Sequence, residues 1–189
     1  MFRSALLALS VIAAPPLAAA EVPPAMSQYI YEELMAWVND VRIVAAVAEQ
    51  NKRTSTLTEA EIIARDNTWR QEVGQADTPM IDAVLNAPLS GFLREHMAKS
   101  QGRITEVFVM DSKGLNVASS GVTSDYWQGD EAKFQQTFPK GAGAVFIDQI
   151  ELDESTQTYQ GQVSFSVTDP ASGEVVGAIT VGLDASAFF

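Results

Sequence analysis

The sequence predicts an α+β fold in which N-terminal helices pack on one antiparallel sheet of about five strands. Between Ser27 and Met97 the apolar residues recur at spacings of three and four, which is the period of amphipathic helices. After Gly102 the period changes to two, which is typical of strands. Polar turns with glycine at residues 111–114 and 169–173 join neighbouring strands, so they favour hairpins over parallel crossovers.

Residues 1–20 have the pattern of a secretory signal peptide. Arg3 gives a positive start, residues 5–16 form an apolar run, and three alanines ending at Ala20 form a small-residue cleavage site. The apolar run is shorter than the roughly 20 residues that span a bilayer as a helix. An uncleaved anchor is the alternative interpretation. We expect cleavage near Ala20 and a location in the periplasm or outside the cell.

Residues 21–189 are expected to form a single domain, since this length is ample for one self-sufficient core. Residues 27–102 are predicted to be mainly helical, and residues 103–186 to form a sheet with one short helix. The chain has no cysteine, which excludes thiol nucleophiles and thiolate metal sites. Its 24 acidic and 12 basic residues give a net charge of -12, which disfavours nucleic-acid binding and otherwise indicates only solubility.

The helical part is predicted to contain several segments with recognisable ends. These are a continuous helix from Ser27 to about Gln50, ended by the polar residues 51–55; a helix that Thr58 and Glu61 start with capping-box spacing and Gly74 ends; a short helix that starts at Thr78-Pro79; and a continuation beyond Pro88 that Gly102 caps.

The later part is predicted to contain strands at residues 104–110, 115–119, 144–150, 158–168 and 175–183, with a helix at residues 129–137. The mixed pattern of the first strand predicts cover on both faces. In the fourth, Gln162, Ser164 and Ser166 alternate with apolar residues, which predicts one buried face. In the last, Gly177 and Gly182 permit close approach of another backbone.

Three short motifs in this part resemble the Cache domain, the extracytoplasmic relative of the PAS fold. They are the hairpin VFVMDSKGLNVASS at residues 107–120, the aromatic helix start Tyr126-Trp127, and the closing hairpin SGEVVGAITVGLD at residues 172–184. The long amphipathic first helix also suits the family. The resemblance implies a PAS/Cache-like sheet with a small-molecule pocket between the sheet and the loop and helix that follow its second strand.

The loop at residues 125–133 is the best binding candidate in the sequence. Its aromatic rings offer apolar contact area, and its polar side chains could fix polar groups of a ligand. The alternative is that the two aromatic residues cover the core and that Asp130 stabilises the start of a helix. The candidate ligand-binding residues are Tyr126, Trp127, Gln128, Asp130, Lys133 and Asp184, the last by resemblance alone.

Cache domains usually sit outside a membrane-bound kinase, cyclase or chemoreceptor. This chain shows no transmitter region and no later apolar segment, so a separate membrane partner, a sensor kinase or chemoreceptor, is expected. No arginine follows Arg103, and the aromatic–arginine arrangement that reads amino-acid carboxylates in some relatives is therefore not evident.

Two other groups of residues have weaker interpretations. Asp148, Glu151, Asp153 and Glu154 could ligate Ca²⁺, but their spacing matches no calcium loop and acidic turns are usually solvated. His96, the only histidine, lies among apolar neighbours on a helix and is interpreted as structural. No Gly-x-Ser-x-Gly motif and no convincing acid–base or nucleophile set is present, so enzymatic activity is not expected. A bound metal and a cofactor are not expected either.

The sequence thus predicts a periplasmic small-molecule-binding sensor domain that acts with a separate membrane partner. The alternative is a non-enzymatic interaction or structural module, which would hold a partner protein through the exposed face of the first helix or a sheet edge. A lined cavity behind Trp127 favours the sensor, whereas a filled interior there favours the module.

Overall fold

The computed structural model describes residues 22–153 and 158–189. The predicted signal segment and its cleavage site at Ala20 lie outside these residues. In the part of the chain that is described, no helix is long and apolar enough to cross a membrane.

Helices dominate the first half of the chain. They are α1 (Pro24–Tyr29), a π-helical turn (Ile30–Leu34), α2 (Val41–Thr54), α3 (Glu59–Glu72), α4 (Pro79–Leu85) and α5 (Pro88–Lys99), followed much later by α6 (Ala132–Gln135) and by 3-10 turns at Phe138–Lys140 and Ala185–Phe188. The capping box of Thr58 and Glu61 and the first-turn position of Pro79 are as predicted. Gly74 and Gly102 both have positive φ just beyond the helices that they were predicted to end.

The strands form one antiparallel sheet. They are β1 (Ile104–Met110), β2 (Asn116–Ser119), β3 (Val145–Ile147), β4 (Glu151–Asp153), β5 (Thr158–Thr168) and β6 (Val175–Asp184). Their order across the sheet is β2-β1-β6-β5-β3, and β4 also pairs with β5. The α+β class and the antiparallel sheet are therefore confirmed.

The prediction of one continuous helix from Ser27 to about Gln50 is wrong. The chain leaves the helix after Leu34 and starts a new one, α2, at Val41. The break has a local cause, because the carboxylate of Asp40 accepts a hydrogen bond from the backbone N–H of Arg42 and caps the new helix.

The helix ends within residues 51–55, as predicted, but α2 continues to Thr54, four residues beyond the expected end near Gln50. The polar side chains that suggested an end are also used for docking. The Asn51 amide donates to the carbonyl of Val176 at 2.8 Å and accepts from the Ser112 N–H at 2.9 Å. The last turn of α2 thereby binds both hairpins of the sheet.

One face of the sheet packs on α1, α2 and α5. The side chains that it contributes to this core alternate along the three central strands, and they include Val107, Val109, Val163, Phe165, Val167, Ile179, Val181 and Leu183. At Gly177 a Cβ atom would collide with the carbonyl oxygen of Met110 and lie 2.9 Å from Val47. The close backbone approach predicted for this glycine is confirmed.

The opposite face of the sheet is buried as well, which corrects the prediction of one buried face for residues 158–168. Ser164 and Ser166 have only 0 and 2% of their surface exposed. The cover comes from α6 and the 3-10 turn after it, where Phe134 and Phe138 stack on each other at 5.2 Å and pack against Phe108. Alternation of polar and apolar residues in β5 therefore separates two packed faces rather than a core from solvent.

Two further predicted boundaries differ from the structure. The helix predicted at residues 129–137 is shortened to α6, and Gly129 lies before it, packed so closely on the hairpin that a Cβ atom there would be 2.7 Å from the carbonyl oxygen of Lys113. The acidic segment predicted as a turn contains β4, which forms backbone pairs with β5. Glu154, one of its four candidate calcium ligands, lies outside the described residues.

Candidate functional site

The loop that precedes α6 is fixed from one side by α3. The carboxylate of Asp66 accepts hydrogen bonds from the backbone N–H groups of Tyr126 and Trp127, at 2.9 and 3.0 Å. Arg70 joins this carboxylate to Asp125, with N–O distances of 2.9 and 2.7 Å. The buried acid replaces the backbone partners that an irregular loop lacks, and it therefore determines where the two aromatic side chains lie.

Tyr126 belongs to a small core between the helices and the first hairpin. Its side chain packs with Trp69, at a ring distance of 5.7 Å, and with apolar residues of α3 and α4. Burial, together with the nearby charge of Asp111, raises the pKa of Tyr126 to about 12. The tyrosine is thus a packing residue in this conformation, and its ring lies on the helical side of the loop.

Trp127 closes the loop against the β1–β2 turn. Its indole Nε1 donates to the carbonyl oxygen of Lys113 at 2.8 Å, and its backbone forms an isolated bridge with Leu115. The ring lies close to Gly129, where a Cβ atom would collide with it. Trp127 therefore ties the start of the α6 segment to the hairpin.

Lys133 projects from α6 over the second face of the sheet. Its ammonium group lies 5.3 Å from the ring centre of Phe108, and only 14% of its side chain is exposed. The same group contacts the carboxylate of Glu131 at 2.9 Å and the amide oxygen of Gln128 at 3.3 Å. Gln128 is 1% exposed and is itself anchored by a bond to the carbonyl of Asp125.

Two buried hydroxyl groups continue this site across the sheet. Phe108 pairs with Thr180, and Thr180 pairs with Ser164, so the three side chains lie side by side on one face. The hydroxyl oxygens of Thr180 and Ser164 are 2.9 Å apart, and both residues are fully buried. Only one of the two hydroxyl protons can lie in that bond, so the pair retains one donor for another acceptor.

The structure brings some of the predicted residues together and separates others. Gln128 and Lys133 meet, whereas Tyr126 lies in the helical core and Asp130 is exposed. Asp184 lies four residues beyond Thr180 along β6, about 13 Å away at the usual strand rise, where it caps the final 3-10 turn. The binding role of these residues stays a prediction.

The sequence did not suggest Glu131 and Phe108, which contact Lys133, or Thr180 and Ser164, which follow Phe108 across the sheet. For Ser164 a signal existed, because hydroxyl residues alternate with apolar ones in β5, whereas Thr180 is the only hydroxyl residue of β6. Recognising it required the knowledge that a later segment covers this face. Together with Lys133 and Gln128, these four residues form a group that we call the Lys133 site.

The other sequence candidates have structural surroundings. His96 stacks on Trp37 at 4.4 Å and meets the edge of Phe92 at 4.5 Å. Burial, and then the charge of Lys99, lowers the pKa of His96 below its usual value. Within the described residues, no group of three or more His, Cys, Asp or Glu is arranged to hold a metal ion.

No family model matches this chain, and no curated protein matches it. Among solved structures, it is similar to the sensor domain of the Vibrio cholerae histidine kinase DctB (20% identity, TM-score 0.37, covering 85% of this chain and 59% of that one). It is also similar to the sensory domain of the Campylobacter jejuni chemoreceptor Tlp3 with isoleucine bound (12%, 0.40, 89% and 66%).

A third similar structure is the ligand-binding domain of the Pseudomonas aeruginosa amino acid chemoreceptor PctC in complex with GABA (11% identity, TM-score 0.43, covering 84% of this chain and 62% of that one). This chain therefore spans 59 to 66% of the length of the three. All three are sensory or ligand-binding domains. At these TM-scores the likeness supplies neither a ligand nor a partner for this chain.

Proposed function

We propose that this chain is a periplasmic Cache-like sensor domain that binds a small organic anion at the Lys133 site and acts through a separate membrane partner. The observation that carries the proposal is Lys133, whose side chain is only 14% exposed and whose ammonium group lies over the ring of Phe108. Small-molecule sites commonly combine an aromatic surface with a few polar groups that converge on it. A buried amine is costly unless it has a partner of opposite charge, so the site favours an anion.

In the present conformation that partner is Glu131, whose side chain is 37% exposed. An incoming carboxylate would replace Glu131 on the Lys133 ammonium group and release Glu131 to water. The Ser164–Thr180 pair is fully buried beside Phe108, so its spare hydroxyl donor would reach the same ligand only after the α6 cover moves. Lysine is a single point charge without the planar fork of arginine, so a carboxylate here would gain its orientation from the surrounding polar groups.

Ligand exchange at Lys133 also provides a route for a signal. Glu131 is the residue from which α6 starts, and α6 carries Phe134 onto the sheet. Movement of Glu131 would therefore shift the short cover over the second face. A membrane-bound kinase or chemoreceptor that contacts this cover would respond to ligand occupancy. Signalling by this route needs a change of conformation and no chemical reaction in the domain.

Thermal-shift screening of purified protein against a panel of small organic acids tests the proposal. A ligand at 100 times its dissociation constant stabilises the folded state by about 2.7 kcal/mol. Lys133→Met keeps the apolar stem and should remove the shift, whereas Glu131→Gln should strengthen binding several-fold because the competing carboxylate is gone. Lys140→Met, which removes the same charge from an exposed position, is the matched control. Undiminished binding to Lys133→Met would contradict the assignment.

One observation favours the protein-interaction module as a second candidate. Tyr126 and Trp127 both find their partners within the chain, so neither ring is reserved for a ligand. If no organic acid in the panel stabilises the protein, and it binds a membrane protein equally well before and after Lys133→Met, the module is the better description.

A further inference from the structure

A second cleft lies on the helical side of the molecule, away from the Lys133 site. It has a volume of about 440 Å³ and is formed by the π-helical turn, the end of α5 and the link into β1. Its walls include Tyr29, Glu33, Trp37, His96 and Arg103. Tyr29, Glu33 and Trp37 follow one another at intervals of four residues, and the π-helical turn lies within this span. Such π-helical turns are often found at functional sites.

Aromatic rings form two sides of this cleft, and each is held in place by another ring. Trp37 is stacked on His96 at 4.4 Å, and Tyr29 lies 5.4 Å from Phe188. Burial lowers the pKa of His96 and so favours its neutral form, and the imidazole is stacked as an aromatic support on Trp37. The walls are therefore flat, apolar and fixed before any ligand arrives.

Arg103 gives the cleft its charge. Within the described residues its guanidinium has no ion pair and no hydrogen bond, and it lies 5.6 Å from the ring centre of Tyr29. The chain has twice as many acidic as basic residues, yet among the described residues no carboxylate pairs with this guanidinium. Lys99 adds a second positive charge at the rim, although it also pairs with Glu95. An unpaired guanidinium beside aromatic walls suits a planar carboxylate.

The carboxylate of Glu33 also lines the cleft. It can accept a hydrogen bond from a hydroxyl or amino group of a ligand whose carboxylate pairs with Arg103. We infer that this cleft binds an aromatic carboxylic acid that carries a hydroxyl or amino group. The carboxylate pairs with Arg103, the ring contacts Tyr29 and Trp37, and the donor faces Glu33. This site is independent of the Lys133 site, which lies on the other face of the sheet.

Isothermal titration calorimetry with 4-hydroxybenzoate tests the inference. The wild-type protein should bind it at least tenfold more tightly than cyclohexanecarboxylate, which has the charge but no aromatic ring, and than phenol, which has the ring but no charge. Arg103→Gln should weaken binding at least tenfold. Arg53→Gln, which removes an exposed arginine that pairs with Glu49, should bind as the wild type does.

Two further variants keep the result interpretable. Tyr29→Leu should weaken binding of 4-hydroxybenzoate without changing the far-ultraviolet circular dichroism of the protein. Lys133→Met should leave this binding unchanged, which separates the cleft from the proposed sensor site. Equal binding of 4-hydroxybenzoate and cyclohexanecarboxylate, normal binding by Arg103→Gln, or loss of binding in Lys133→Met would each overturn the inference.

Discussion

Thr54 at the end of α2 donates its hydroxyl proton to the carboxylate of Asp111, which lies 57 residues later in the β1–β2 turn, at 2.8 Å. Asp111 is fully buried and also accepts from the Gln50 amide and from the N–H groups of Lys113 and Leu115. One carboxylate thus shapes the turn and joins it to the helical layer.

Replacing Asp111 by alanine should be strongly destabilising, because it leaves several buried donors without an acceptor. We expect a loss of about 3 kcal/mol in the free energy of unfolding, since bonds to a charged group are among the stronger ones and unsatisfied buried donors add to the loss. Urea unfolding measures it. Asp130→Ala removes an exposed acid and should change the stability by less than about 0.5 kcal/mol. Similar values for both variants would show that Asp111 does not connect the layers energetically.

Asp66→Ala should release the loop that leads into the Lys133 site. The variant loses the acceptor for the backbone N–H groups of Tyr126 and Trp127, so hydrogen exchange at these two amides should become at least tenfold faster. Exchange in the centre of β6 should change much less. Asp77→Ala, on the exposed link after α3, is the control. Unchanged protection at both loop amides would mean that other contacts position the loop.

Asp40 should make the stability depend on acid pH. The hydrogen bond from Arg42 lowers the pKa of Asp40 from 3.8 to about 2. Because the folded-state pKa is the lower one, the stabilisation is complete above pH 3.8 and is lost as the pH falls towards 2. At pH 7, Asp40→Ala should cost about 1 kcal/mol through loss of the helix cap.

Asp40→Asn is the informative comparison for this effect. Asparagine keeps an acceptor for the N-cap position but cannot titrate, so the difference in stability between wild type and this variant should shrink between about pH 4 and pH 2. Chemical unfolding at several pH values measures the difference. If the difference in the free energy of unfolding stays constant over this range, Asp40 stabilises the protein only as a helix cap, and its pKa is not lowered.

His96 should also make the protein less stable as the pH falls, although the cause is burial of the imidazole and not a hydrogen bond to it. Burial makes its folded-state pKa lower than the unfolded value of 6.5, so the unfolded state takes up the proton first. The wild type should therefore lose stability relative to His96→Gln as the pH falls below 6.5, and the two proteins should show a constant difference above about pH 7.5. Melting temperatures across pH 5–8 check this. If the relative stability rises on acidification, an anionic partner of His96 dominates over its burial.

The sequence predicted the class of fold because helix and strand periods are local signals. Caps such as Thr58 with Glu61 are equally local, and they were placed correctly. The break between the π-helical turn and α2 was not predicted. It depends on the Asp40 carboxylate, which accepts a hydrogen bond from the Arg42 N–H and so caps a new helix. The docking role of Asn51 was not visible either, because its partners, Ser112 and Val176, are far away in sequence.

The candidate site was predictable only in part for a similar reason. Lys133 and Gln128 are near each other in sequence, and their contact follows from a short loop. Thr180 and Ser164 reach the same place through the register of three strands, which no local pattern specifies. Tyr126 points to the other side of the loop because Asp66, sixty residues earlier, holds its backbone.

The pairing of Lys133 with Glu131 has a consequence for the proposed sensor. A carboxylate tethered two residues away competes with any ligand at a fixed local concentration, which for short flexible linkers is of millimolar order. At low ligand concentration Glu131 would therefore keep its contact with Lys133, and the domain would respond only above a threshold concentration of the anion. Substitution at residue 131 could move that threshold while leaving every group that contacts the ligand in place.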